Sequence, residues 1–204
     1  LGDGKDSGLF LWKLRDELKE ALETVDLSHI PLYEHEETQK TQSLSYTKAD
    51  FLDEVYLSEK NYDTLVALLN HRKNIILQGP PGVGKTFMAK RLAYSIIGEK
   101  REDNVQLIQF HQSYSYEDFI MGYKPDADGF YLEEGLFYKL CKQAEDNPTE
   151  NFYLIIDEIN RGNLSRIFGE LMMLIEKDYR DTELYIAYSD EPFSVPGNLY
   201  LIGT

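Results

Sequence analysis

The spacing of apolar and polar positions along the chain predicts short strands alternating with helices. From Leu9 to Val25, Leu11, Leu14, Leu18, Leu22 and Val25 fall on one helical face with Trp12 beside it, the pattern of an amphipathic helix. Residues 26–47 are polar, contain Pro31, and read as a linker. Something new begins near Tyr46. Ser58 followed by Glu59 resembles a helix start, which Tyr62, Leu65, Val66, Leu68 and Leu69 continue and the run Asn70-His71-Arg72-Lys73 ends. Ile75-Ile76-Leu77 then reads as a short buried strand. A glycine-rich loop follows it, and then a helix whose apolar positions Phe87, Met88, Leu92, Ala93, Ile96 and Ile97 recur at helical spacing.

Val105 to Phe110 predicts a second strand, and the run HQSYSYEDFIMGYKP after it has neither a helical nor an alternating period. Its tyrosines either contact a ligand, a neighbouring subunit or a polymer, or pack the loop down. Gly129 to Tyr131 suggests a turn or short strand, Gly135 to Glu145 a helix, and Phe152 to Ile156 a fully apolar strand. Asn163 to Lys177 predicts one helix capped by Asn163. Leu184–Tyr188 and Phe193–Val195 predict a hairpin, and Leu199–Ile202 a last strand. The alternation implies an α/β fold with a parallel sheet covered on both faces. In such sheets the loops after strand ends line the ligand crevice.

At 204 residues the chain suits one domain, or one domain with an appendage. We divide it into an N-terminal helix and linker, 1–45, and a main domain, 46–204. A net charge of −15 argues against a broad basic surface that grips nucleic acid by itself, while leaving room for a local basic patch. Cys141 is the only cysteine, so the chain has no internal disulfide; it is expected to be a small buried apolar residue. No apolar run approaches membrane-spanning length, and a cytoplasmic location without a membrane is expected.

The strand-loop-helix from Asn74 to Ile97 carries the chemistry. Gly79-Pro80-Pro81-Gly82-Val83-Gly84-Lys85-Thr86 fits the G-x-x-x-x-G-K-T frame of a phosphate-binding loop, in the context that motif requires. Its glycines let backbone N–H groups turn around β- and γ-phosphates, the helix N-terminus adds partial positive charge, and Phe87 follows on the first turn. Lys85 is expected to reach phosphate oxygens, and the Thr86 hydroxyl to hold Mg²⁺. The apolar strand ending in Asp157-Glu158 fits the acidic second half of such a site, Asp157 serving Mg²⁺ and Glu158 polarising the attacking water. Asn160 and Arg161 either face the γ-phosphate or a neighbouring subunit, or cap the following helix.

The runs GPPGVGKTFMAKRLAYSIIGEK, QFHQSYSYEDFIMGYKP, LIIDEINRGNLSRIFGELMMLIE and AYSDEPFSVPGNLYLIGT resemble the AAA+ proteins. Within them the resemblance is to the McrB-type GTPase subunits of modified-cytosine (type IV) restriction systems. It covers about Tyr46 to Thr204, with HQSYSYEDFI its most discriminating run. It implies a P-loop NTPase core and a hexameric ring with nucleotides between subunits. It also implies hydrolysis of GTP with Mg²⁺, and DNA translocation alongside an McrC-type endonuclease. The modified DNA itself is expected to be read by regions outside this chain. On the resemblance Asn160 helps position the attacking water. The family's Met-Asn-Thr-Ala-Asp sensor signature, arginine finger and helical lid are expected beyond Thr204, so the chain reads as truncated. An Asn-Lys-x-Asp base-reading motif is absent, so GTP use rests wholly on the resemblance. Two alternatives stand beside this reading: an ATP-driven MoxR-like remodeller, and a nucleotide-dependent assembly module with little turnover.

Overall fold

The computed structural model describes residues 44–127 and 129–204, so the helix expected over Leu9–Val25 and most of the linker lie outside the described residues. Helix α1 (Lys48–Glu54) starts at a capping box. The Thr47 side chain accepts from the Asp50 amide, and the Asp50 carboxylate accepts from the Thr47 amide at 2.7 Å. Helix α2 (Glu59–Arg72) begins, as expected, at Ser58, whose hydroxyl accepts from the Asn61 amide. Lys73 ends it in the left-handed region (φ 66°), turning the chain directly into β1 (Asn74–Ile76). There follow α3 (Lys85–Ile97), β2 (Val105–Gln109), α4 (Tyr116–Phe119), β3 (Met121–Asp126), β4 (Gly129–Glu134), α5 (Leu136–Asp146) and β5 (Phe152–Asp157). The rest comprises α6 (Leu164–Phe168), α7 (Leu171–Leu174), β6 (Leu184–Tyr185), β7 (Pro192–Phe193) and β8 (Leu199–Gly203).

Four strands form a parallel sheet in the order β1-β8-β5-β2, the α/β architecture expected from the alternation. Strand β5 shows why its sequence is apolar without a break. Side chains alternate across a strand: Phe152, Leu154 and Ile156 enter one core, and Tyr153 and Ile155 the other. The second core also takes buried residues of α1, α2 and α3, among them Phe51, Leu69 and Leu92. The first takes those of α4 to α7, among them Phe119, Phe137, Phe168 and Leu171. Cys141 lies in this core as expected, and burial pushes its thiol pKa up.

Three expectations need correction. Strand β1 is not a buried strand. It stands at one end of the strand order, and Ile76 is 57% exposed while Leu77, just past the strand, is buried. The single helix expected over Asn163–Lys177 is broken. Asn163 does cap α6 by accepting from the Arg166 amide. Gly169, however, adopts φ 52° and ψ −129°, a conformation that side chains with a Cβ rarely reach, and the chain restarts as α7. The apolar spacing survives because both pieces face the same core, so periodicity alone hides the break. The 184–195 hairpin is also shorter than expected, reduced to the pairs Leu184↔Phe193 and Tyr185↔Pro192.

The aperiodic tyrosine-rich run resolves into a one-turn helix and the start of a hairpin, each too short to show a period. Two of its tyrosines pack: Tyr114 stacks on Phe110 with ring centroids 5.1 Å apart, and Tyr116 is buried with its hydroxyl donating to Glu170 at 2.8 Å, whereas Tyr123 is 58% exposed. At the other edge of the sheet, where the strands begin, Arg180 acts as a buried clamp. It donates to Asn74 Oδ1 (2.8 Å) and to the carbonyls of Ile175 (3.0 Å) and Pro196 (3.3 Å). Burial draws its pKa down to about 10.

Tyr153 is fully buried and stacked on Tyr200, with centroids 5.0 Å apart, yet its hydroxyl finds no partner among the described residues. An unmet buried hydroxyl costs more than it returns. Tyr153→Phe is therefore expected to leave stability unchanged or raise it by up to about 1 kcal/mol in urea unfolding, whereas Tyr153→Ala is expected to cost about 3–5 kcal/mol.

Candidate active site

The loop between β1 and α3 folds as its glycines require. Gly82 and Gly84 take φ 80° and 79°, in the left-handed region. Gly84 caps α3 without a side-chain acceptor, so the first amides of the helix are not satisfied by a cap. Those amides and the helix dipole suit an anion. Lys85, the first residue of α3, lies back along the loop, its Nζ donating to the carbonyls of Gly79 (3.1 Å) and Pro80 (3.0 Å).

Facing this loop is the end of β5. The Thr86 hydroxyl donates to Asp157 Oδ1 at 2.9 Å, joining the two motifs that are 71 positions apart. The same oxygen accepts from the Glu158 amide (3.1 Å) and from the Thr204 hydroxyl (2.7 Å). Burial alone would raise the Asp157 pKa, but these hydrogen bonds and the charge of Lys85 outweigh it and hold the pKa below the ordinary value. Glu158 sits in the left-handed region (φ 52°, ψ 42°) and leads into a 3₁₀ turn, Ile159–Arg161. Its carboxylate is gripped by Arg161, Nε at 2.9 Å and Nη2 at 3.4 Å.

Between the two motifs lies a cleft of about 700 Å³. Gly79, Pro81, Gly82, Gly84, Lys85 and Thr86 line one side, and Asp157, Glu158 and Asn160 the other. Three residues named from the motif do not line it. Pro80 takes part through its carbonyl, Val83 is exposed, and Phe87 is 45% exposed with the Arg91 guanidinium 3.8 Å over its ring. Ile76, Leu77, Gln78, Ile159 and Thr204 also line the cleft, although no motif points to them. The available signal for Thr204 was a polar residue directly after an apolar strand, which carries weight only once that strand is known to lie beside β5.

The donor set fits Mg²⁺. Among the described residues Asp157 Oδ2 accepts no hydrogen bond, and the Thr86 hydroxyl keeps its lone pairs. One hydroxyl and one carboxylate oxygen are the few hard ligands that Mg²⁺ takes while keeping several waters.

A carboxyl whose folded pKa lies below its unfolded one stabilises the fold above the unfolded value, and that contribution is lost as pH falls through the folded value. Asp157 is such a group. Asp157→Asn is therefore expected to lower the urea midpoint at about pH 7, with the gap to wild type closing as pH falls from about 4 through the lower folded value. A gap independent of pH would contradict this account of Asp157.

A family model described as AAA domain (dynein-related subfamily) matches residues 74–203, and one described as IstB-like ATP binding protein matches residues 23–111. The chain is 51% identical over 164 residues to the type IV methyl-directed restriction enzyme EcoKMcrB subunit of Escherichia coli strain K12, covering 78% of this chain and 36% of that protein. It is 27% identical over 172 residues to the type II restriction enzyme BsuMI component YdiS of Bacillus subtilis strain 168, covering 65% of this chain and 50% of that protein. It thus spans between about a third and a half of the length of these relatives. A solved structure from Cytophaga hutchinsonii overlaps 76% of this chain and 41% of its own, at 17% identity and a TM-score of 0.44. With the phosphate loop, the acidic strand end and the parallel sheet in place, the chain belongs to the AAA domain family, in its dynein-related subfamily.

Proposed function

We propose that this cleft binds and hydrolyses a nucleoside triphosphate, with GTP as the preferred substrate, and that the chain is the nucleotide-binding part of a motor subunit in a modified-DNA restriction complex. The observation that carries the reading is the Thr86–Asp157 hydrogen bond, which brings the phosphate loop, Lys85 and the acidic strand end into one cleft. The restriction context is supported by the 51% identity to the McrB subunit, and GTP by the McrB-type resemblance.

In this reading the amides of Gly79, Gly82, Val83, Gly84, Lys85 and Thr86 bind phosphate oxygens. Pro80 and Pro81 have no N–H to donate and serve to shape the loop. Lys85 exchanges its two carbonyl contacts for phosphate charge. Thr86 and Asp157 hold Mg²⁺, which when bound neutralises charge on the phosphates. Glu158 accepts the proton of the water that attacks the γ-phosphate, and Asn160 orients that water. Phosphoryl transfer needs mainly positioning and charge stabilisation, which this set supplies locally. The rest is assigned to the assembly: a homo-hexameric ring in the cytoplasm, an McrC-type endonuclease partner, and DNA recognition by regions outside this chain. Residues 1–45 are assigned to an appendage and 46–204 to the AAA+ large subdomain. Among the described residues no helix is long and apolar enough to cross a membrane.

The ATP-driven alternative has one observation in its favour, the match of residues 23–111 to an ATP-binding family model. Titrating the protein with Mg²⁺-GTP and Mg²⁺-ATP side by side separates the two, and a clear preference for ATP overturns the GTP assignment.

Lys85→Ala is expected to weaken nucleotide binding by about 1.5–3 kcal/mol in titration calorimetry, the size of a charge-assisted hydrogen bond. Glu158→Gln in the full-length protein is expected to bind nucleotide normally but to lose at least about 100-fold in turnover, the lower range for a general base. Wild-type hydrolysis by that variant would remove Glu158 from the mechanism.

A further inference from the structure

We propose that Thr204 is a positioning residue of this site: its hydroxyl, with that of Thr86, fixes one oxygen of Asp157 so that the other is presented to a divalent cation. The inference rests on the reading of the cleft as a nucleotide site.

Thr204 follows β8, the strand between β1 and β5. Its backbone is held on both sides of the acidic pair. The amide donates to the Ile156 carbonyl at 2.9 Å, just before Asp157, and the carbonyl accepts from the Ile159 amide at 3.1 Å, just after Glu158. The residue before it, Gly203, packs so closely on the turn that a Cβ there would lie 2.8 Å from Ile159 Cδ1. Thr204 therefore has little freedom to move, and it is 9% exposed.

Proton accounting gives the hydroxyl a direction. Each threonine has one O–H to donate. Thr204 and Thr86 both give theirs to Asp157 Oδ1, at 2.7 and 2.9 Å, so the 3.4 Å approach of their two oxygens sets lone pairs side by side and carries no proton. With the Glu158 amide, Oδ1 accepts three donors from three different segments. That arrangement restrains the rotation of the carboxylate and leaves Oδ2, which has no partner among the described residues, as the oxygen that Asp157 can offer in the cleft. Mg²⁺ tolerates little departure from octahedral geometry, so the orientation of a ligand matters as much as its presence. Partners that orient a ligand without touching the metal commonly govern metal affinity. Thr204, which makes the shortest of the three bonds, has that position here.

The test compares Thr204→Val, which keeps the shape and removes the donor, with Thr204→Ser, which keeps the donor. Affinity for fluorescent GTP and ATP analogues is measured on the full chain in excess Mg²⁺ and again in EDTA. Thr204→Val is expected to bind roughly tenfold more weakly in Mg²⁺ yet within about twofold of wild type in EDTA, and Thr204→Ser to match wild type in both. Should Thr204→Val not fold, Thr204→Ala removes the same hydroxyl without crowding and is read in the same way. An equal loss in Mg²⁺ and EDTA means a merely structural role and overturns the inference, as does an unchanged affinity or a failure of serine to rescue. A wild-type protein that binds neither nucleotide overturns the nucleotide-site reading itself, an outcome visible before any variant is made.

Discussion

Three parallel strands that end at one level are the constraint on which the site depends. Ile76 of β1, Gly203 of β8 and Ile156 of β5 lie in a single register row. The residues one step further on are Leu77, which opens the phosphate loop, Thr204 and Asp157. Because the strands point the same way, all three emerge at the same edge, the edge where open α/β sheets place their ligands. Thr86 then has only to reach from the first turn of α3 to meet Asp157. Had β8 been antiparallel to its neighbours, its polar end would lie at the far edge of the sheet, where Arg180 instead ties Asn74 to the Ile175 and Pro196 carbonyls.

The two cores hold that edge from opposite faces. One packs α1, α2 and α3 on the sheet and so sets the start of α3, hence Lys85 and Thr86. The other is dense in aromatic rings, with Phe119 in contact with Phe110, Phe137 and Phe168 at centroid distances of 5.6, 4.9 and 5.0 Å. It backs β5 and the turn after it. Ile159 and Ile167 both belong to this packing, so the segment bearing Glu158 and Asn160 is anchored immediately downstream. This anchoring is what allows strain at the acidic pair. A non-glycine residue in the left-handed region costs on the order of 1–2 kcal/mol, and Glu158 is held there. Its amide is bound by Asp157 Oδ1, its carbonyl accepts from the Arg161 amide at 2.9 Å, and its carboxylate is held by the Arg161 side chain.

Much of this was legible in the chain because it is local. Helix caps at Ser58 and Asn163, the glycines at 82 and 84, and the unbroken apolar run of β5 each follow from nearest neighbours along the sequence. The failures are equally physical. The break at Gly169 leaves the apolar spacing intact, so a single helix and two short ones present the same pattern. Phe87 obeys the helical period yet stacks under Arg91 outside the core, since a period identifies a face but not whether anything covers it. The tyrosine-rich run had no period to read, because its helix is a single turn and its contacts lie either next to it in the chain, as Phe110 does, or far along it, as Glu170 does.

By itself the sequence determined the α/β alternation, the phosphate-binding loop and the acidic strand end, since each is written in residues that are near neighbours along the chain. The tertiary structure alone decided that β8 lies between β1 and β5. Strand order depends on which apolar faces bury one another, and no local pattern records it. From that order come the Thr86–Asp157 contact and the place of Thr204, a polar residue at the end of an apolar strand until the sheet sets it 2.7 Å from Asp157.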